Sequence, residues 1–424
     1  MTQVSNDNQP MEIEGLIAAY ETAQAGAINL VASENRMSCN ALKAVASDLI
    51  HRYVIPPSGE RPATIWDYPN QEIPREIVGA AQDLACSVYG AMHAIVFPWS
   101  DNQTPSIIRG SLRAGAPFFP VGADCGGHFT TAVVSENVRL HRFDLPYDLT
   151  TGQIDIDRTA DLAKSERPKL VFLDASMMLF PYPLEELRAA VGKDVIISYD
   201  ASHTLGIIAG GQFQDPLAEG ADLLHGSTHK SLPGPQHGII MDKMDAARAQ
   251  PIYERILPLS VSNAHLHHIA ALGITLREMR DYGQDYARAV VDNARSLGRA
   301  LNDQGLRVAF AGSGYTDSHQ TWGIVGDKSA AMRAFRDLET AGIRTNAVHV
   351  PFTSEYGLRL GTPEMTRRGM GREAIDRLAP LFADAVLGRR DTEVIRKDVA
   401  DLSRAYPGLY YTDDAPKPEV GAVT

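Results

Sequence analysis

Five short apolar runs constrain this chain more than any other feature. Residues 117–121, 138–142, 170–174, 195–200 and 223–226 alternate with stretches of helical periodicity. Buried strands separated by helices cannot pair through tight hairpins and need crossovers, which predicts a largely parallel sheet covered by helices on both faces, an α/β fold. Ligands of such sheets collect in the crevice beyond the carboxyl ends of the strands. Polar side chains that follow the apolar runs are therefore the first candidates for chemistry.

Two of those ends carry an unusual pair. After the run 223–226 comes a polar turn, Ser227-Thr228-His229-Lys230-Ser231, closed by Pro233-Gly234-Pro235. Lys230 among hydroxyls suits a Schiff base with an aldehyde cofactor, although a loop lysine capped by turn residues reads the same in isolation. The run 195–200 ends in Asp200, with His203 three residues on. An acid at that strand end can pair with a pyridinium nitrogen, and it can equally cap the following helix. Acid and lysine together point to pyridoxal 5'-phosphate.

Composition removes other classes. At 424 residues, 44% hydrophobic and 22% charged, the chain can bury two substantial cores. A net charge of −12 without a basic stripe argues against nucleic acid or an anionic membrane as partner. The odd, widely spaced cysteines Cys39, Cys86 and Cys125 give no metal-like or disulfide pattern, so no metal and a reducing cytoplasmic setting are expected.

Along the chain, residues 1–27 form an N-terminal arm whose helical pattern, 11–25, leads into the extended stretch 28–35. Residues 54–72 are rich in proline and turn formers and read as a functional loop. Helical patterns follow at 40–51 and 73–90, and a strand at 94–97 runs into Pro98-Trp99-Ser100-Asp101-Asn102-Gln103-Thr104. A helix starting there offers backbone N–H groups and hydroxyls to a phosphate, with Ser100, Asp101 and Gln103 as cofactor candidates; ordinary helix capping explains the same residues. The pattern is helical over 264–301. A smaller α+β region then has strands at 308–311, 322–325 and 357–360 and helices at 329–341 and 372–387. The expected division is a cofactor-binding large domain at 28–285, a small domain at 286–410 and a flexible tail at 411–424.

With those residues in place, the sequence resembles fold-type I pyridoxal-phosphate enzymes of the serine hydroxymethyltransferase family. Leu30-Val31-Ala32-Ser33-Glu34-Asn35 is similar to the family's LIASEN segment, Gly126-Gly127-His128 to its ring-stacking histidine segment, and Asp200 to His203 to its DMAH strand end. Thr228-His229-Lys230 matches its Schiff-base motif, Thr316-Asp317-Ser318-His319 its TDNH stretch, and 357–369 its substrate-arginine motif. The resemblance implies Ser33 and Arg359 on a substrate carboxylate, His128 stacked on the ring, Ser176 at the ring hydroxyl, and Ser100 at the phosphate. It further implies Tyr53, Ser262 and Asn263 reaching a neighbouring subunit's cofactor, hence a homodimer or a dimer of dimers with shared sites. His203 and His229 lie in matching motifs, and the general base is left open between them.

The chain departs from folate-dependent members at the loop that reads close to KYAEGYPGKRYYGG in the family. Ile55 stands at its acid–base glutamate, and Pro62 and Ala63 at its tyrosine pair. Residues 257–265 lack the family's glycine pair and look like those of the L-threonine transaldolases, divergent relatives that need no folate. The resemblance thus implies aldol-type transfer between a β-hydroxy-α-amino acid and an aldehyde. The alternative is a serine or α-methylserine hydroxymethyltransferase with a modified folate site, the one case that calls for tetrahydrofolate.

Overall fold

The computed structural model describes residues 12–54, 68–99, 107–108, 111–254 and 264–416. A seven-stranded sheet runs His93–Ile95, Gly238–Asp242, Leu223–Ser227, Ile196–Asp200, Leu170–Leu173, Pro117–Pro120 and His141–Arg142 from edge to edge. Every neighbouring pair is parallel except the two made by Gly238–Asp242, which runs against both its neighbours. That strand follows the Lys230 turn directly, so the chain reverses there without a crossover helix. The alternating pattern therefore predicts the fold correctly, and the reversal is the price of placing the lysine on a tight turn.

Leu170–Leu173 is buried at every position, as expected of a strand covered on both faces. The helix Glu72–Tyr89 buries Val78, Ala81, Ala85 and Tyr89, a stripe at helical spacing, and stops at Gly90 in the left-handed region.

A second sheet, antiparallel throughout, has four strands in the order Arg307–Val308, Gln320–Gly326, Tyr356–Gly361 and Asn346–His349. Its apolar core also takes in Ile28 and Leu30. Ile28–Asn29 pairs in parallel with Ile343–Arg344 rather than with the seven-stranded sheet, although the sequence division puts it in the large domain. One helix of 38 residues, Leu266–Asp303, packs against Glu72–Tyr89 and Leu205–Ala209 and also against Arg372–Val386 and strand Gln320–Gly326. It runs unbroken through residue 285.

The arm helix Ile13–Ala25 buries none of its residues and leaves Ile13, Leu16, Ile17 and Tyr20 exposed. Within the 411–424 segment, Thr412 Oγ1 donates to Glu278 Oε1 at 2.7 Å and Arg367 Nη1 donates to the Tyr411 carbonyl at 2.7 Å, so its first residues are held. Among the described residues, no helix is long and apolar enough to cross a membrane, and no cluster of three metal-type ligands occurs.

Candidate active site

A cavity of about 1100 Å³ opens where the ends of the parallel strands face Asn346–His349 and Tyr356–Gly361. It exceeds the usual span of a single small-ligand site, roughly 300–1,000 Å³, so a cofactor and a substrate fit together. Lys230, His128, His203, His229, Ser176, Ser33 and Arg359 all line it. A small adjoining cavity brings Asp200 to the same Lys230, His128, Ser176 and His203.

The lysine turn is fixed from three sides. The Gly234 amide donates to the Thr228 carbonyl at 2.9 Å, the Gly206 amide to Ser231 Oγ at 3.0 Å, and Tyr286 Oη to the Ser231 carbonyl at 2.6 Å. Asn35 Nδ2 donates to the Lys230 carbonyl at 2.8 Å. Thr228, a cofactor candidate by sequence, is fully buried and donates its hydroxyl to the Pro235 carbonyl at 2.7 Å. It lines neither cavity because a turn this tight needs its own backbone bonds closed. Asn35 and Tyr286 escape sequence reasoning as lysine supports, since only the fold brings them there.

Asp200 Oδ1 accepts the Ser202 amide at 2.8 Å, and its other oxygen is 4.0 Å from His225 Nδ1. Burial lowers the His225 pKa, so this imidazole is neutral. His128 is set by two glycines. A Cβ on Gly126 would lie 2.4 Å from the Met177 carbonyl oxygen, and one on Gly127 would lie 2.2 Å from that of Val121. Only bare backbone passes there, and Gly126 further sits at φ +95°. His203 is buried with Nδ1 3.4 Å from His319 Nε2 and 3.2 Å from Gln320 Nε2. Burial, then the positive charges of Lys230 and Arg359, hold its pKa well below the ordinary range, and His319 is pushed down to about 3, by burial first. Both rings are neutral at physiological pH.

Arg359 lies in the strand Tyr356–Gly361, opposite Trp322 and Asn346. Its Nη2 donates to Asn346 Oδ1 at 2.9 Å and its Nη1 to the Ser176 carbonyl at 3.2 Å, while Nε is buried without a partner. Among the described residues, no carboxylate lies within ion-pair distance of it. Burial brings its pKa down to about 10. A part-buried guanidinium with its Nε shut away from solvent and only neutral partners asks for an anion from outside. The carboxylates at the cavity wall are otherwise engaged: Glu364 takes Arg36 Nε at 2.9 Å and Asn29 Nδ2 at 2.7 Å, and the same Asn29 nitrogen donates to Glu34 Oε2 at 2.7 Å.

Ser176 Oγ donates to the Gly126 carbonyl at a long 3.4 Å. Of the stretch 177–180, only Met177 lines the main cavity, while Met178 and Leu179 are packed in apolar cores. Tyr53 is half exposed and stacked on Tyr68, ring centroids 5.1 Å apart, away from both cavities. Ser100, Asp101, Gln103, Ser262 and Asn263, the expected phosphate contacts, lie outside the described residues, as do Ile55, Pro62 and Ala63.

The residues present fit pyridoxal phosphate: an amine and an acid face one another across a seat whose wall carries an imidazole, with an uncompensated guanidinium beyond. Fold and site together define a pyridoxal-phosphate-dependent transferase of fold type I. The serine hydroxymethyltransferase family model matches residues 6–382, and the chain belongs to that family. A serine hydroxymethyltransferase of Methanopyrus kandleri is 39% identical over 392 residues, 90% of each chain. One from Methanobrevibacter smithii is 36% identical over 415 residues, 96% of each. Among solved structures, L-threonine transaldolase from Pseudomonas fluorescens in its internal aldimine state aligns with a TM-score of 0.91 at 28% identity, covering 95% of this chain and 93% of that one.

Proposed function

We propose that this chain catalyses aldol-type transfer, taking a glycyl unit from threonine or a similar β-hydroxy-α-amino acid and passing it to a second aldehyde. The observation that carries the amino acid substrate is Arg359, a part-buried cation facing the cavity with no acid among the described residues to balance it. An α-carboxylate gripped there in a bidentate pair orients the bonds at the α-carbon. Ser33 lines the same cavity and can add a hydroxyl donor.

Lys230 is the amine that would hold the cofactor's aldehyde. When bound, pyridoxal phosphate supplies an electron-withdrawing ring that takes up the electron pair left as the Cα–Cβ bond breaks. Asp200 would present its carboxylate to the ring nitrogen of the bound cofactor, and His128 would cover the ring face. The hydroxyl proton of the substrate must leave in the same step. His128, His203 and His229 line the cavity, and the neutral His203 can accept a proton.

Transfer without folate rests on the loop residues Ile55, Pro62 and Ala63, which cannot perform the acid–base and stacking work of the residues they replace. Hydroxymethyl transfer from serine is the second reading, favoured by the serine hydroxymethyltransferases among the relatives. Incubation with threonine and an aromatic aldehyde, without folate, separates the two. New β-hydroxy-α-amino acid supports transaldol transfer, whereas product only with methylene-tetrahydrofolate overturns it.

A homodimer or dimer of dimers belongs to the same proposal, because the arm helix leaves its apolar side chains uncovered and Tyr53 is exposed and lines neither of the chain's own active-site cavities. Sedimentation showing an active monomer at assay concentration refutes it.

A further inference from the structure

Asp174 follows directly on the strand Leu170–Leu173, as Asp200 ends the neighbouring parallel strand. The register pairs Leu173 with Tyr199, so the next residue on each strand, Asp174 and Asp200, stand side by side on one face of the sheet. Both line the small cavity of about 10 Å³ that also receives Lys230, His128 and His203. Asp174 is only 3% exposed, and neither carboxyl oxygen has a hydrogen-bond partner among the described residues. Thr131 lies close enough to favour the ionised form, yet outside hydrogen-bond geometry. The Asp174 carbonyl accepts the His128 amide at 3.2 Å, so this residue also anchors the imidazole at the ring's expected face.

Two like charges on adjacent strand ends in a closed space repel strongly. The two differ in burial and in hydrogen bonding. Asp200 is only part-buried and accepts the Ser202 amide at 2.8 Å, while Asp174 is 3% exposed with neither carboxyl oxygen in hydrogen-bond geometry with a partner. We propose that Asp174 is a second acid of the cofactor seat that keeps its proton at neutral pH, so that the ring nitrogen faces one carboxylate, Asp200, rather than two. Asp174 acts as a positioning residue, setting the charge that Asp200 and the ring experience. The inference stands whichever aldehyde the enzyme accepts.

The charged and titratable groups around Asp174 agree with this. Asp200, His128, His203 and Lys230 surround the shared cavity, and the phenols of Tyr147 and Tyr182 feel its charge from within the core, both kept neutral by burial. Burial first, then the charge of Asp200, pushes the Asp174 pKa up to about 8. Below that pH Asp174 is neutral, and above it a negative charge appears beside Asp200.

The experiment compares the cofactor-loaded wild type with Asp174→Asn, near-isosteric and permanently neutral. Infrared difference spectra at pH 6.5 are expected to show a protonated-carboxyl band in the wild type that is missing from the variant and moves when pyridoxal phosphate is removed. The visible band of the bound cofactor should change with a midpoint near pH 8 in the wild type, while the variant keeps its neutral-pH spectrum throughout. Asp174→Ser makes the same comparison through a smaller neutral side chain, so the result does not hang on one variant's folding. Absence of the infrared band at pH 6.5, a band indifferent to cofactor, or superimposable titrations of wild type and variants would each overturn the proposal.

Discussion

Asn35 donates through its side-chain amide to the carbonyl of Lys230 at 2.8 Å, across 195 residues of sequence. The same nitrogen lies 2.9 Å from Tyr286 Oη. A segment next to the N-terminal arm thereby fixes the backbone from which the reactive amine projects. Asn35→Ala leaves that carbonyl without its donor, a loss of roughly 1–3 kcal/mol. Pyridoxal phosphate affinity, titrated by absorbance, should fall by about ten- to a hundredfold with the thermal midpoint little changed. Unaltered affinity would mean the turn holds itself.

Arg359→Lys keeps a positive charge but loses the planar fork. Two charge-assisted hydrogen bonds are at stake, so kcat/KM for the amino acid should drop by roughly 10²- to 10⁴-fold. The absorption of the lysine-bound cofactor should stay as in the wild type. A variant with normal substrate affinity would show that the carboxylate is held elsewhere.

Buried histidines give the fold an acid limit. His237 is pushed down to about 3 and His268 to about 4, by burial first in both, and His319 behaves like His237. A histidine whose folded pKa is depressed contributes stability above its unfolded value of about 6.5, and loses it as pH falls toward the folded value. Each such ring should cost roughly 1.4 kcal/mol per pH unit in that window. Denaturant titrations at pH 7, 6 and 5 should show stability falling steadily, and His237→Gln should flatten the slope. A flat wild-type profile would contradict neutral burial.

Ile55 tests the folate-side loop. On the proposed transfer, an apolar side chain at the family's glutamate position should remove a proton donor and let the carbon nucleophile last long enough to meet an aldehyde. Ile55→Glu should raise the ratio of released glycine to transfer product by about tenfold or more, measured by chromatography after reaction with threonine and an aromatic aldehyde. An unchanged ratio would move the proton-donating role to another residue.

The strands of the large sheet were legible because 170–174 and 195–200 are apolar runs of the right length with few other ways to be buried. Lys230, Asp200, His128, His203 and Arg359 were legible because each sits in a distinctive local motif. Asn346–His349 was missed: all four of its residues are only part-buried, so no alternation of apolar and polar side chains marks it. Thr392–Arg404 was also missed, since its buried face holds only Ile395, Val399, Leu402 and Ser403 among many charges. Asp174 looked like the end of a core strand. Its importance comes from the register with Asp200, which no local pattern encodes.

The long helix Leu266–Asp303 packs against elements of both sheets' cores and so should couple their unfolding. Tyr286, halfway along it, donates to the Ser231 carbonyl beside the reactive lysine, and Leu297 and Leu301 farther on pack into the second core. A chain ended at residue 285 would lose the hydroxyl that pins the lysine turn, and a fragment begun at 286 would expose half of a helix evolved to be covered. Attempts to express the halves separately should yield insoluble material, and chemical denaturation of the whole should show a single transition. Grafting another small domain onto this scaffold would therefore have to carry the entire helix with it.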